Sequence, residues 1–392
     1  MNHRANTANS KECPVGSGDD NTHPSDHLSQ HTEGVVDVVQ NKYTRKTVYL
    51  HIGWEKTGSS AIQAFCGRNQ HWLRERCFDY PMIGTRPQHI TLYYDLKSRH
   101  PRRVARIMEE FRSVVESSTQ PAMIISHEAL HLCNPQMFRE LFDGHDVRVI
   151  AYIRRPDIAV ISHFVTVIRF GYLSACDLSK TIRMYIERYL TDYDYYWQLE
   201  LFAAVFGREN MIIRPYHPDH LVGGQSVSDF MYLLGIDDLS NSLWPEVSVN
   251  PSPDIEQFEF ALRCARLLRD LPRVQVQMIT KQICDAILAK SKGREKGHTV
   301  DLFVSRKVKD RINTFFEPSM NLLYQRYFNA RVVFDQTTRD ALGFEHFRSE
   351  RFEDLRDCVM QTACIPRSIL NRFTTLKAPS EREIMQVVNP DS

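Results

Sequence analysis

The chain of 392 residues lacks the features that would assign it to a membrane, a nucleic acid or an oxidising compartment. It has no run of about 18 or more uninterrupted apolar residues, so it contains no candidate transmembrane helix. Its formal net charge is only +1, which provides no overall attraction to nucleic acid. The nine cysteines form no C-x-x-C pair, and this favours reduced thiols in a cytoplasmic protein.

Large apolar residues are also scarce at the start of the chain. The first residues, 1–6, contain no apolar core, so we expect no secretory signal peptide. Residues 1–45 are rich in Asn, Ser, His, Asp, Gly and Thr. Such a segment cannot offset its ordering entropy by burial, and a disordered polar tail is therefore predicted.

From residue 47 onward, apolar strand-like runs alternate with helical patterns. This alternation predicts an α/β fold with a parallel sheet that is covered by helices on both faces. After residue 226 helical patterns dominate and predict helical additions to the sheet. The predicted strands are 47–52, 122–126, 147–153 and 210–214. The predicted helices are 58–76, 101–117, 157–170, 178–191, 194–206, 226–235, 254–271, 274–291 and 303–327.

The most informative segment follows the first predicted strand. The apolar run 48–52 ends in Gly53, and Lys56, Gly58 and a helical pattern come next. A strand, a tight loop and a helix start build a phosphate cradle, because the free amides and the dipole of the new helix favour an anion. Lys56 adds a positive charge, and Ser59 and Ser60 add hydroxyl donors. The alternative is a strand-to-helix turn whose lysine is only solvated.

This loop lacks the Gly-Lys-Ser/Thr end of a nucleotide-kinase loop. In G-x-x-x-x-G-K-[ST] the lysine follows the second glycine, whereas here Lys56 precedes Gly58. The hydroxyl that such loops place on magnesium has no clear counterpart. The pattern therefore argues against ATP or GTP hydrolysis, and it favours a phosphate ligand that Lys56 neutralises without a metal.

A second polar segment follows the predicted strand 147–153. Arg154 and Arg155 stand at its carboxyl end, which is the edge where open α/β sheets bind ligands. The planar guanidinium of Arg154 matches phosphate oxygens, whereas Arg155 is expected only to shape the turn. Ser162 lies eight residues after Arg154, about two helical turns, so both groups could converge on one phosphate. The alternative is a surface arginine pair and an ordinary helix serine.

Together the two segments resemble the sulfotransferases that use 3′-phosphoadenosine-5′-phosphosulfate (PAPS), and most closely their bacterial carbohydrate-type branch. The loop is similar to the family's 5′-phosphosulfate loop, and the Arg154–Ser162 pair is similar to its 3′-phosphate site. The resemblance spans roughly residues 47–330. Further matches, in chain order, are Ile124–Glu128, Phe206–Tyr216, Asp229-Phe230, Leu234–Ile236, Asn250 and Ser252-Pro253.

The resemblance implies a three-layer parallel β-sheet with flanking helices, of the P-loop NTPase-like kind, followed by C-terminal helical additions. It places a sulfotransferase domain at 46–335 and a partly helical extension at 336–392. PAPS would be the co-substrate, with no metal required, and bacteria make PAPS in the cytosol. The acceptor would be a small molecule or a saccharide, or a glycolipid, which would bring the protein to a membrane surface. No nucleic-acid partner is expected.

The resemblance also implies roles for individual residues. Lys56 would hold the leaving phosphate oxygen, and the amides of 57–60 would bind the 5′-phosphate. Arg154 and Ser162 would bind the 3′-phosphate, which distinguishes PAPS from ATP. The implied PAPS-binding residues are Lys56, Thr57, Gly58, Ser59, Ser60, Arg154 and Ser162.

Three residues compete for the role of the general base that accepts the proton of the acceptor. Glu55 lies beside Lys56, where relatives often carry histidine, and Glu128 and His127 end the next predicted strand. Histidine titrates near neutrality. The alternative for Glu55 is a charge partner of Lys56. For Glu128 it is a charge at a helix N-terminus, and for His127 it is a partly buried ring.

Two other functions are compatible with the same residues. The unusual Glu55 is compatible with a protein that binds PAPS or adenosine 3′,5′-bisphosphate without catalysis. A P-loop kinase with a displaced lysine is the third reading, and it requires ATP affinity and magnesium.

Overall fold

A computed structural model describes residues 45–83, 89–169, 190–237, 253–291, 297–335, 340, 342, 344–361 and 365–383. The described residues all belong to one compact unit. Predictions for residues 1–44, for Asn250 and Ser252, and for most of the helix at 178–191 lie outside the described residues. The division of the chain at residue 335 stays a prediction.

Among the residues that the structure describes, five parallel strands form the sheet. Their order is β2-β3-β1-β4-β5, so β1 is central and has β3 and β4 as its neighbours. Residue pairing in register joins His51 of β1 to Ser126 of β3 and to Ile150 of β4. The strands are β1 (Thr47–His51), β2 (Phe78–Asp79), β3 (Ala122–Ser126), β4 (Asp146–Ile153) and β5 (Met211–Pro215).

Thirteen α-helices lie within the described residues, and they supply the outer layers and the C-terminal additions. They are α1 (Ser59–Arg68), α2 (Gln70–Arg74), α3 (Ile90–Leu96), α4 (Pro101–Ser117), α5 (Pro135–Leu141), α6 (Pro156–Arg169), α7 (Tyr195–Phe206), α8 (Ser226–Leu233), α9 (Ile255–Leu267), α10 (Arg273–Ser291), α11 (Arg306–Tyr327), α12 (Ser349–Met360) and α13 (Arg367–Phe373).

Alternating side chains of the strands build a core on each face of the sheet, as the two-residue period of a strand requires. On one face, Leu50 and Val149 belong to the larger core, which continues into α6, α7, α9 and α11. On the other face, Ile124 and Ile150 belong to a smaller core with apolar residues of α1 and α8. The predicted α/β fold, with a parallel sheet between two helical layers, is thereby confirmed.

Most predicted elements agree with the structure to within a few residues, but one helix was predicted too long. The predicted helix 58–76 is divided at Asn69, whose side-chain amide donates to the Phe65 carbonyl at 2.9 Å. Asparagine favours such local bonds over continued helix. No described helix is long and apolar enough to cross a membrane.

Candidate functional site

The sheet order places a ligand crevice at the carboxyl end of β1. In the sheet, β3 lies on one side of β1 and β4 lies on the other, so the strand order reverses at β1. Open α/β sheets bind ligands at such a switch point. The residues that follow β1, β3 and β4 are the loop at 52–58, the pair His127-Glu128 and Arg154. The three segments chosen from the sequence therefore end at one edge of the sheet.

Two glycines shape the loop after β1. Gly53 has φ +114°, and a Cβ there would lie 1.9 Å from the Glu128 carbonyl oxygen. Gly58 has φ +82°, and a Cβ there would lie 2.3 Å from the Ser226 hydroxyl and 3.0 Å from the Tyr216 ring. Both positions combine a left-handed backbone with close neighbours, so only glycine fits them.

The start of α1 is open to an anion. Gly58 precedes the helix, its carbonyl accepts from the amide of Ala61 at 3.0 Å, and no described side chain caps this end. The first turn carries no acidic residue, so the amides and the helix dipole keep their positive character. Ser59 is buried, whereas Ser60 is partly exposed. These are the groups that a phosphate would require at this position.

Arg154 contacts the loop directly. Its Nη1 donates to the backbone carbonyl of Lys56 at 3.3 Å, and its guanidinium carbon lies 5.7 Å from the centre of the Tyr216 ring. The neighbouring Arg155 instead forms two bonds to Asp157, at 2.7 and 2.8 Å. Arg154 and the loop therefore form one surface, while Arg155 holds the first turn of α6.

Ser162 lies on α6 and is partly buried. Its carbonyl accepts from the Thr166 hydroxyl at 3.0 Å, and within the described residues its hydroxyl makes no hydrogen bond to Arg154. The next residue, His163, has its pKa lowered to about 4 by burial and by the charge of Lys56. This turn of α6 therefore reaches the neighbourhood of Lys56, and a shared phosphate for Arg154 and Ser162 stays a prediction.

Glu55 is partly buried beside Lys56, and its surroundings raise the pKa of its carboxyl group. Burial, together with the negative charges of Glu128 and Asp192, raises the pKa of Glu55 to about 8, and Lys56 offsets only a part of this. A carboxyl group with a pKa near the working pH is suited to accept and return a proton. Such perturbed groups in a cleft mark candidate functional sites.

Glu128 is held in place from two sides. Its Oε2 accepts from the amide Nε2 of Gln63 on α1 at 2.8 Å, and its side chain is 25% exposed. Its backbone carbonyl accepts from Nδ1 of His131 at 2.8 Å, and the same nitrogen lies 3.3 Å from the Ile52 carbonyl. The His131 ring packs on Trp54 at 4.4 Å, which ties the turn after β3 to the loop after β1.

His127 is less accessible than the sequence suggested. Its ring is 4% exposed and stacks on Tyr93 with 5.7 Å between ring centres. Its Nδ1 accepts from the amide of Ala129 at 3.2 Å, and burial lowers its pKa. Its Nε2 lies 4.0 Å from Oε2 of Glu128, whose charge opposes this fall in the pKa. The burial of the ring favours a packing role.

Sequence reasoning missed three residues of this site, namely Gln63, Tyr93 and Asp192. Gln63 could have been found, because it lies four residues after Ser59 and therefore on the same helix face. Asp192 carries no motif, and the turn that holds it is placed by a hydrogen bond of 2.7 Å from the Trp54 indole to the Asp192 carbonyl. The pKa of the Tyr93 phenol is raised by burial, and Glu55 and Asp192 contribute to that rise.

The site combines the uncapped start of α1 with Lys56, with Arg154 and with the carboxyl groups of Glu55 and Glu128. Such a site can bind a phosphorylated ligand and accept a proton within the same crevice. The described residues contain no group of three or more His, Cys, Asp or Glu side chains that could hold a metal ion.

Comparison with known proteins gives little further information. No family model and no curated protein matches the chain. Among solved structures, the chain is similar to a sulfotransferase from Alicyclobacillus acidocaldarius, with 16% sequence identity and a TM-score of 0.30. The match covers 58% of this chain and 94% of the other. A likeness of this size does not indicate which reaction the chain performs.

Proposed function

We propose that the protein transfers a sulfuryl group from PAPS to a hydroxyl or amino group of an acceptor. The observation that carries this proposal is the contact between Arg154 Nη1 and the Lys56 carbonyl at the switch point. In this contact, the loop that resembles a 5′-phosphosulfate site meets the arginine that resembles part of a 3′-phosphate site. A single nucleoside that carries a phosphate at each end would contact both the loop and Arg154.

The donor is held by charge and by backbone amides. The amides of residues 57–60 and the hydroxyls of Ser59 and Ser60 bind the 5′-phosphate at the open start of α1. Arg154, supplemented by Ser162, binds the 3′-phosphate through its planar guanidinium. This second contact selects PAPS over nucleotides that have a free 3′-hydroxyl. Lys56 contacts the oxygen that bridges phosphorus and sulfur, and it stabilises the negative charge that develops there.

The transfer is an in-line displacement in which positioning and charge stabilisation supply the catalysis. The acceptor oxygen or nitrogen forms a bond to sulfur as the bond between sulfur and the bridging oxygen breaks. The acceptor proton passes to a carboxylate, and the electron pair of the broken bond leaves with adenosine 3′,5′-bisphosphate. We assign the proton to Glu55, because its pKa is raised to about 8 and it adjoins Lys56.

The other two candidate bases fit less well. Glu128 already accepts a hydrogen bond from Gln63, and it serves to set the charge around Glu55. His127 is buried against Tyr93. The proposed acceptor is a small molecule or a saccharide that the protein meets in the cytoplasm.

Transfer of labelled sulfate from PAPS tests the proposal. Lys56→Ala and Arg154→Ala should each reduce transfer by at least about 100-fold, since each removes a charge that contacts the donor. Arg148→Ala is the matched control for Arg154→Ala, because Arg148 is an exposed arginine on β4, the strand that Arg154 follows. Unchanged transfer by either site variant contradicts the assigned roles.

The two alternative functions give different results in the same experiments. A non-catalytic binder retains affinity for adenosine 3′,5′-bisphosphate and transfers nothing across a broad acceptor panel. A kinase consumes ATP in the presence of magnesium. Calorimetry that shows no ATP affinity removes the kinase.

A further inference from the structure

Two neighbouring helices of the outer layer keep apolar side chains in solvent. The first is α7, where every exposed residue is apolar and the remaining residues are buried or half-buried. Trp197 and Leu201 are 61% and 55% exposed, and Ala204 is the third exposed residue. Their spacing of four and then three residues places all three on one side of the helix. The solvent side of a surface helix is ordinarily polar, so this apolar stripe is an exception.

The second helix, α11, carries a matching stripe. Phe315 and Leu322 are 54% and 39% exposed, and Pro318 between them is also exposed. Arg311 lies four residues before Phe315, and Arg326 lies four residues after Leu322, so both arginines lie on the same side of the helix. The stripe is therefore apolar in its middle and has an arginine at each end.

The two stripes lie next to each other, because α7 packs against α11. The Tyr327 hydroxyl donates to Oε1 of Glu200 at 2.7 Å, and Nε of Arg326 lies 3.5 Å from the same oxygen. Glu200 precedes Leu201, and Arg326 comes one turn after Leu322, so these contacts lie along the border of both stripes. We refer to the apolar residues of the two stripes as the α7–α11 patch, and they are Trp197, Leu201, Ala204, Phe315, Pro318 and Leu322.

The charge around the α7–α11 patch is positive. Arg311 and Arg326 border it on α11. Arg208 follows α7 and donates to the Arg326 carbonyl, and its guanidinium carbon lies 5.9 Å from the centre of the Tyr327 ring. Neither of the two described stripes contains a carboxylate, and Glu200 at their border offsets only one of the three arginines. Arginine keeps its charge at any working pH, so the patch has a lasting positive border.

We propose that the α7–α11 patch docks the protein on a membrane surface that contains anionic lipids. Tryptophan, phenylalanine and leucine side chains enter the boundary between headgroups and acyl chains, while arginines beside them pair with lipid phosphates. A second copy of the chain fits less well, because its matching surface would set arginines and no carboxylate of the stripes opposite these charges. The proposal goes beyond sulfuryl transfer and does not depend on it.

Docking on this patch brings the crevice close to the membrane. The helix α7 begins at Tyr195, whose ring meets the ring of Trp54, in the loop after β1, edge-on at 4.8 Å between ring centres. Trp197 comes two residues later, so it marks the end of the patch that is nearest to the crevice. Docking therefore holds the ligand-binding edge of the sheet near the lipid headgroups.

Sedimentation of the full chain with lipid vesicles tests the proposal. Vesicles of equimolar phosphatidylcholine and phosphatidylglycerol are compared with vesicles of phosphatidylcholine alone. We expect partitioning onto the anionic vesicles to be at least about tenfold stronger, since each arginine near such a surface contributes about fivefold. Arg208→Gln should lower partitioning about fivefold on the anionic vesicles and leave it unchanged on the neutral ones. Arg102→Gln is the matched control, because Arg102 is an exposed arginine on α4, outside the patch.

The apolar part of the patch has its own variant. Leu201→Gln should lower partitioning about fivefold on the anionic vesicles, because it removes part of the inserted apolar surface. Met278→Gln is the matched control, since Met278 on α10 is also 55% exposed and lies outside the patch. Unchanged urea midpoints for both variants show that the fold is intact.

Tryptophan fluorescence supplies a readout on the unaltered protein. Lipids that are brominated in their acyl chains quench a tryptophan that enters the bilayer. Emission of the unaltered protein should fall on anionic vesicles that contain such lipids, and Trp197→Phe should lose most of this fall. Quenching that Trp197→Phe retains overturns the assignment of the patch.

The proposal is also overturned if the unaltered protein does not partition onto anionic vesicles, or partitions equally onto both kinds. It is overturned if Leu201→Gln has no effect, or if Met278→Gln has the same effect. Sedimentation velocity without lipid examines the other occupant. A dimer that Leu201→Gln converts to a monomer would show that a second copy covers the patch, and the membrane proposal would be wrong.

Discussion

The proton-accepting role of Glu55 predicts a specific pH dependence. A carboxyl group with a pKa of about 8 is only about 9% ionised at pH 7 and about 91% ionised at pH 9. Only the ionised form can accept the proton of the acceptor. The value of kcat/KM should therefore rise about tenfold between these pH values and level off above them.

The assay measures initial rates of labelled sulfate transfer to a neutral hydroxyl acceptor, so that the acceptor itself does not titrate. A subsaturating acceptor concentration reports the ionisation of the free enzyme. Glu55→Gln keeps the shape of the side chain and removes the titration, so its rate should be lower by about 100-fold or more and should not change between pH 7 and pH 9. Glu128→Gln, which removes one of the charges that act on Glu55, should move the inflection to lower pH.

Two results would refute this reasoning. The first is a profile for the unaltered protein that is flat from pH 7 to pH 9. The second is a Glu55→Gln variant that retains the rise near pH 8, because another group would then accept the proton.

Three further predictions test the local structure by denaturant unfolding and nucleotide titration. Gly58→Ala should abolish binding of adenosine 3′,5′-bisphosphate, since its Cβ would lie 2.3 Å from the Ser226 hydroxyl; retained affinity contradicts the loop geometry. Glu55→Gln should stabilise the protein at pH 9 and change its stability little at pH 4. A carboxyl group whose pKa is raised by folding destabilises the folded protein progressively as the pH rises from about 4.5 to about 8. The gain in the free energy of unfolding at pH 9 is at most about 5 kcal/mol, and it is smaller because solvent screens a partly exposed side chain. The absence of any gain at pH 9 would contradict the raised pKa. Asp229→Asn should cost about 3–5 kcal/mol, because it leaves Arg214 without its buried carboxylate; a loss under 1 kcal/mol contradicts that pairing.

The elements with strong local signals were predictable from the sequence. The strands β3 and β4 are short apolar runs with clear limits, and α4 begins at Pro101, where proline is favoured in a first helical turn. The strand β2 has only two residues, too few for any periodic pattern, and it exists because it pairs with β3. Its presence depends on tertiary contact, which no local pattern reports.

The candidate site was predictable to the same extent. Lys56 and Arg154 follow apolar strands, and the rule that parallel strands end at one edge brings them together. Asp192 and Tyr93 are not attached to predicted strands, and their place in the crevice depends on packing and on the Trp54 indole. The sequence also could not show that the charges of Glu128 and Asp192 act on Glu55, since those residues come from distant positions in the chain.

The central claim is that the loop at 56–60 and Arg154 bind opposite ends of one nucleotide. It is tested most directly by titrating the protein and Arg154→Ala with adenosine 3′,5′-bisphosphate and with adenosine 5′-monophosphate, which lacks the 3′-phosphate. We predict that the variant loses about 30- to 100-fold in affinity for the bisphosphate and less than about twofold for the monophosphate. Equal effects on both nucleotides, or no effect on either, would contradict the claim.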